Sequence, residues 1–141
     1  MSNRPATYTP DPETSVNDPE PRTSPRVFVV EDTAMVAMLI ETMIEDMGWT
    51  VVGPAGQLQE AVETARTEAI DAAIVDVNLN GEASWEVASI LRDRGVPFVF
   101  TTGYSDQAAV PLGLESAPLM GKPFQVRDLE NWLRGAVPAA G

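Results

Sequence analysis

The chain has 141 residues, 44% of them hydrophobic, a net charge of −12, and neither cysteine nor histidine. That length holds one domain with a real core, and the missing residue types exclude disulfides, thiolate or imidazole metal sites, a Cys nucleophile, a Ser–His triad and a phosphohistidine on this chain. The acidity speaks against nucleic acid as a direct partner, and the longest apolar run, residues 34–40, is too short to cross a membrane.

Residues 1–25 hold six of the twelve prolines and few large apolar groups. Such a segment cannot bury enough surface to offset its ordering entropy, so a disordered Pro-rich tail is expected, with a tethering arm as the alternative. It has no apolar core of a signal peptide, which points to a cytoplasmic protein. The tail contributes only −2 (Asp11, Glu13, Asp18 and Glu20 against Arg4 and Arg22), so most of the acidity belongs to the body.

From Arg26 the pattern changes. RVFVV, residues 26–30, reads as a strand that is apolar on both faces. Thr33 can cap a helix from Ala34 to about Met47 that Gly48 ends, with Val36, Leu39, Ile40, Met43 and Met47 on one face. Residues 50–52 make a second strand, and 58–69 a second helix with Leu58, Ala61, Val62 and Ala65 inward. Residues 72–75 form a third strand, 84–94 a third helix and 97–100 a fourth strand. Residues 105–116 should carry a fourth helix but contain Pro111 and Gly113, so that helix is expected to be short or distorted. A fifth strand at 117–120 and a closing helix from Val126 to about Gly135 complete the set. This alternation predicts an α/β domain over 26–136, a doubly wound five-stranded parallel sheet of flavodoxin-like order 2-1-3-4-5, followed by a short C-terminal tail at 137–141.

In such sheets ligands bind beyond the carboxyl ends of the strands. Strand one ends on Glu31 and Asp32, strand three on Asp76 with Asn78 close behind, and strand four on Thr101, Thr102, Gly103 and Tyr104. Strand five ends, after Gly121, on Lys122, the only lysine in the chain. Taken singly, each has a plain explanation: Glu31 and Asp32 suit the start of a helix, Asp76 can cap one, and Asn80–Gly81 reads as a turn. Together they set three carboxylates, a hydroxyl and an ammonium on one rim. Crowded carboxylates suit a hard divalent cation such as Mg²⁺. A carboxylate is also a competent nucleophile toward phosphorus, and the ammonium can meet a phosphoryl oxygen.

The sequence of acid pair, Asp, Thr and Lys-Pro resembles the receiver domain of two-component response regulators across residues 26–136. The text PFVFTTGY resembles the FAT GUY branch of that family, with Phe-x-Thr-Gly-Tyr at residues 100–104. The resemblance implies that Asp76 is the phosphoacceptor. It makes Asp32 a Mg²⁺ ligand that Glu31 assists through water, and Asn78 the residue whose backbone carbonyl completes the metal site. Thr102 is then the switch hydroxyl, Lys122 the phosphate-binding lysine, and Lys122–Pro123 a cis peptide. Leu119 stands where many receivers carry an aromatic switch residue, and the resemblance suggests Tyr104 in its place.

The expected function is that of a single-domain response regulator, phosphorylated on Asp76 by a sensor histidine kinase in a Mg²⁺-dependent reaction. Output would pass by contact with a downstream regulatory protein, or the domain would act as a phosphate sink. It is not expected to be a turnover enzyme but a phosphoacceptor that promotes its own phosphorylation and dephosphorylation. The branch resemblance leans toward stress signalling. A phosphate-independent interaction module on the same fold is the alternative. A phosphohydrolase would need a second Asp two residues after the nucleophile, where this chain has Asn78.

Overall fold

A computed structural model describes residues 24–103, 111 and 113–138. Within them the elements are β1 (Arg26–Val30), α1 (Ala34–Asp46), β2 (Thr50–Ala55), α2 (Leu58–Thr67), β3 (Ala72–Asp76), β4 (Asn78–Leu79), β5 (Glu82–Ala83), α3 (Trp85–Asp93), β6 (Phe98–Thr102), β7 (Leu119–Gly121) and α4 (Val126–Ala136). Five strands form one parallel sheet in the order β2-β1-β3-β6-β7, the doubly wound order expected from the alternation. The central strands β3 and β6 are buried throughout, as continuous apolar runs covered on two faces must be.

Side chains alternate between two cores. Phe28, Val30, Ala73, Val75, Phe98 and Phe100 face α2 and α3, and Val27, Val29, Ile74 and Val99 face α1 and α4. The inward stripe of α1 is Ala37, Ile40, Met43 and Ile44. It is rotated from the expected one, so Leu39 stands exposed beside Met35 and Met38.

Element ends differ from the sequence reading where local geometry intervenes. The second strand runs on to Ala55 because β1 shifts register between Phe28 and Val30, so that Val30 pairs with Ala55. Gly53 takes this bulge at φ +95. The fourth strand continues through Thr101 and Thr102, and the fifth begins only at Leu119. Asn80 and Gly81, read as a turn, do turn a small β4–β5 hairpin, with φ 53 and 90. Thr33 occupies the N-cap of α1, but its side chain makes no capping bond. The Glu31 carboxylate instead accepts the N–H of Thr33 itself at 3.0 Å, just ahead of the helix.

The expected tail at 1–25 falls outside the described residues except for Ser24 and Pro25. Those two are tied to β2, through Ser24 Oγ to Thr50 Oγ1 at 2.8 Å and the Pro25 carbonyl to the Thr50 N–H at 2.9 Å. Of the expected irregular fourth helix at 105–116, residues 105–110 and 112 lie outside the described residues, as do 104 and 139–141, while 113–116 form turns, with the Leu114 N–H donating to the Pro111 carbonyl at 3.1 Å. Among the described residues, no helix is long and apolar enough to cross a membrane.

Candidate functional site

The parallel ladder brings the strand ends into register. Val30 pairs with Val75, Asp76 with Thr101, and Thr102 with Gly121. Glu31, one residue beyond β1, therefore comes level with Asp76, and Lys122 comes after β7 on the same rim. Glu31 and Asp76 are each 3% exposed. Oxygens of Glu31, Asp32 and Asp76 lie within 4.8 Å of one another, a spacing that suits one hard divalent cation.

The Lys122 ammonium reaches into this cluster. Its Nζ donates to Asp76 Oδ2 at 2.9 Å and lies 3.2 Å from Glu31 Oε1 and 3.5 Å from Glu31 Oε2. Burial pulls Lys122 toward the neutral form. The hydrogen bond to Asp76 and the charges of Asp76 and Glu31 outweigh that and hold it above its ordinary pKa. Glu31 is pushed up, chiefly by burial and also by the charge of Asp76, against the lowering pull of the Thr33 N–H and Lys122. The Lys122–Pro123 peptide is cis, as the resemblance implies.

The loop after β3 orients the other groups. Asp76 Oδ1 accepts the Asn78 N–H at 3.1 Å, and Asn78 Oδ1 accepts the Gly81 N–H at 2.7 Å. Asp32 Oδ2 accepts the Asn80 N–H at 2.7 Å, and the Asn80 amide donates to the Gly56 carbonyl at 3.3 Å. Ser84, fully buried, donates to the Asp76 carbonyl at 2.6 Å and fixes where β3 ends. Thr102 is buried with its hydroxyl on the Gly103 carbonyl at 3.1 Å. Its own carbonyl accepts the Lys122 N–H. Tyr104 lies outside the described residues, and Trp85 packs edge-on against Phe100 with ring centroids 5.4 Å apart.

The sequence reading thus names the groups that converge: Glu31, Asp32, Asp76 and Lys122, with Asn78, Thr102 and Gly103 around them. It misses Ser84, whose only signal is its place at the start of a helix, and the backbone grip of Asn80 on Asp32. Thr101 is named there at the end of the fourth strand, but without a role for its hydroxyl, which is buried beside Asp76. Next to the rim, a shallow cavity of about 430 Å³ is lined by Val36, Leu39, Lys122, Pro123 and Phe124. The exposed side chains of Met35 and Met38 stand close by on α1.

Residues 27–134 match the family described as response regulator receiver domain. The chain is 34% identical over 107 residues to the transcriptional regulatory protein PdtaR of Mycobacterium tuberculosis, covering 74% of this chain and 52% of that protein. It therefore spans about half the length of that relative. The solution structure of SdrG from Sphingomonas melonis is similar at 35% identity and a TM-score of 0.71, over 82% of this chain and 98% of the other. The receiver domain of sensor histidine kinase PA1611 from Pseudomonas aeruginosa, solved with a magnesium ion in its active-site cleft, shares the fold at 22% identity. Its TM-score is 0.69, over 82% of this chain and 98% of that one.

Proposed function

The chain belongs to the response regulator receiver domain family, and from that premise we propose that Asp76 of this cytoplasmic domain accepts a phosphoryl group from the phosphohistidine of a sensor histidine kinase, with Mg²⁺ required. One observation carries the reading. Three carboxylates and the only lysine of the chain meet at the carboxyl ends of β1, β3 and β7.

An Asp76 carboxylate oxygen attacks phosphorus. The O–P bond forms as the N–P bond to the donor imidazole breaks, and the bonding pair leaves on that nitrogen. Lys122 neutralises the negative charge that gathers at Asp76, and the Asn78 N–H holds the other carboxylate oxygen in place. The donor set fits a divalent cation: three acidic side chains with oxygens close together, and a buried Glu31 Oε1 whose contact is an ion pair with Lys122, with no hydrogen bond to hold it. Glu31, Asp32, Asp76 and the Asn78 carbonyl would hold Mg²⁺, which when bound offsets the charge of the phosphoryl oxygens.

Phosphorylation then draws the Thr102 hydroxyl off the Gly103 carbonyl and biases the surface around residues 101–124 toward a second state. Output is contact with a downstream regulatory protein, or removal of phosphoryl groups as a sink. The domain promotes its own phosphorylation and dephosphorylation without turning over a separate substrate. The FTTGY text supports a role in stress signalling. The donor approaches over α1, where Met35, Met38 and Leu39 give an apolar footing beside Lys122 and Pro123.

Intact mass after incubation with Mg²⁺ and a phosphorylated histidine kinase or a small acyl phosphate tests this, run beside Asp76→Asn. One added phosphoryl group, lost in the variant and in chelator, is the expected result. No modification by any donor, together with partner binding unchanged in Asp76→Ala, would instead identify a phosphate-independent interaction module.

A further inference from the structure

Among the described residues, two buried side-chain polar atoms lack a hydrogen-bond partner: Glu31 Oε1 and Thr101 Oγ1. They flank Asp76. Thr101 pairs with Asp76 on one side and Met120 on the other. Strand alternation puts Thr101 on the face of Val99, Asp76 on that of Ile74 and Glu31 on that of Val29, all turned toward α1 and α4. Glu31, Asp76 and Thr101 thus form one cross-strand row. Glu31 Oε1 is accounted for by the Lys122 ammonium 3.2 Å away and by the acidic cluster. Among the described residues, nothing comparable answers the Thr101 hydroxyl.

A buried hydroxyl without a partner disfavours the state that contains it, whereas valine would fill the same shape without that penalty. The hydroxyl can stabilise only a state in which it is paired. Thr101 is fully buried, and its neighbours in the row are Asp76 and Met120. Met120 offers only a weak acceptor sulfur. A phosphoryl group on Asp76 adds three strong acceptor oxygens and alters the carboxylate next door.

We infer that the Thr101 hydroxyl is unpaired in the resting domain and donates a hydrogen bond to the phosphorylated Asp76 side chain, so that Thr101 stabilises the phosphorylated form relative to the resting one. The inference rests on the phosphoacceptor reading of Asp76.

The test uses the whole chain with Mg²⁺ and beryllofluoride, a phosphoryl mimic, with thermal melting and titration as readouts. Three proteins are compared: wild type, Thr101→Val and Thr101→Ser. In the absence of the mimic, Thr101→Val is expected to melt at or above the wild-type temperature. It should bind the mimic about three- to tenfold more weakly, the factor supplied by one hydrogen bond of ordinary net strength. Thr101→Ser keeps the hydroxyl and should retain wild-type affinity. A resting Thr101→Val that is less stable than wild type, or an unchanged affinity for the mimic, overturns the inference while leaving the phosphoacceptor reading intact. A wild type that neither binds the mimic nor accepts a phosphoryl group removes both.

Discussion

The Lys122 N–H donates to the Thr102 carbonyl at 2.8 Å. This bond continues the β6–β7 ladder past the Thr102–Gly121 pair. One backbone junction therefore carries both the ammonium that reaches Asp76 and the hydroxyl proposed to move toward it. A shift of one strand end cannot leave the other where it was.

Replacing Lys122 with Met tests what the ammonium does at rest. Glu31 and Asp76 would face each other, buried, with no cation between them. A fully buried broken pair costs about 3–5 kcal/mol. The Lys122 side chain keeps 24% exposure, so a smaller loss of about 1–3 kcal/mol is expected in urea unfolding without Mg²⁺. The pH dependence has a definite sign. Glu31 is raised from 4.5 in the folded state, so the fold binds that proton more tightly than the unfolded chain does. Stability then falls as pH rises from about 4.5 through the folded value. Losing Lys122 raises Glu31 further and steepens that fall. A flat, unchanged pH profile for Lys122→Met would count against the pairing.

Mg²⁺ should stabilise the resting domain, because a ligand that binds only the folded state adds stability by mass action. At one hundred times its dissociation constant the gain is about 2.7 kcal/mol. Asp32→Asn is expected to remove most of it and to lower stability little without metal, since Asp32 is only half-buried. A wild-type melting temperature that does not respond to millimolar Mg²⁺ would dismiss the carboxylate cluster as a cation site.

Met38 is 64% exposed on α1. Aspartate there costs the fold little but sets a charge on the apolar footing proposed for the donor. Met38→Asp should slow phosphorylation by a histidine kinase about tenfold or more, the scale of one hot-spot contact. Phosphorylation by a small acyl phosphate should be unaffected. Equal slowing with both donors would point to damage at Asp76 instead.

Much of this is legible in the sequence because parallel strands buried on both faces leave continuous apolar runs. RVFVV and AAIVD declare themselves, and the polar residues at the end of each run mark the rim of the site. The sole lysine makes the fifth strand end easy to place. Leu39 is misplaced by spacing because the apolar residues of α1 outnumber what its buried stripe can hold, so periodicity alone does not choose between neighbouring faces. Asn80 looks like a turn and is one. Its grip on Asp32 joins residues 48 apart in sequence and appears only once the loops fold over the rim. Thr101 can be placed at its strand end, but the state of its hydroxyl gives no signal, because a threonine suits a strand whether or not that hydroxyl is paired.

Gly53 is the remaining case, and it acts on the site from a distance. It sits at φ +95 in the β2 bulge, where an added Cβ would meet Val29 O and Ala55 N at 3.0 Å, both rigid backbone atoms. Two penalties combine in Gly53→Ala, a left-handed backbone conformation and a close backbone contact, and a loss of about 1–3 kcal/mol in urea unfolding is expected. The effect should reach Glu31. The bulge brings Ala55 to where its carbonyl accepts the Glu31 N–H at 3.0 Å, anchoring the residue that contacts Lys122. Gly53→Ala should therefore also weaken Mg²⁺ binding, as read by melting temperature against metal concentration. Gly81→Ala is the control, because Gly81 has an equally left-handed φ of +90 but nothing within 4 Å of an added Cβ. If both variants lost the same stability, backbone conformation alone would explain the cost and the bulge would have no claim on Glu31.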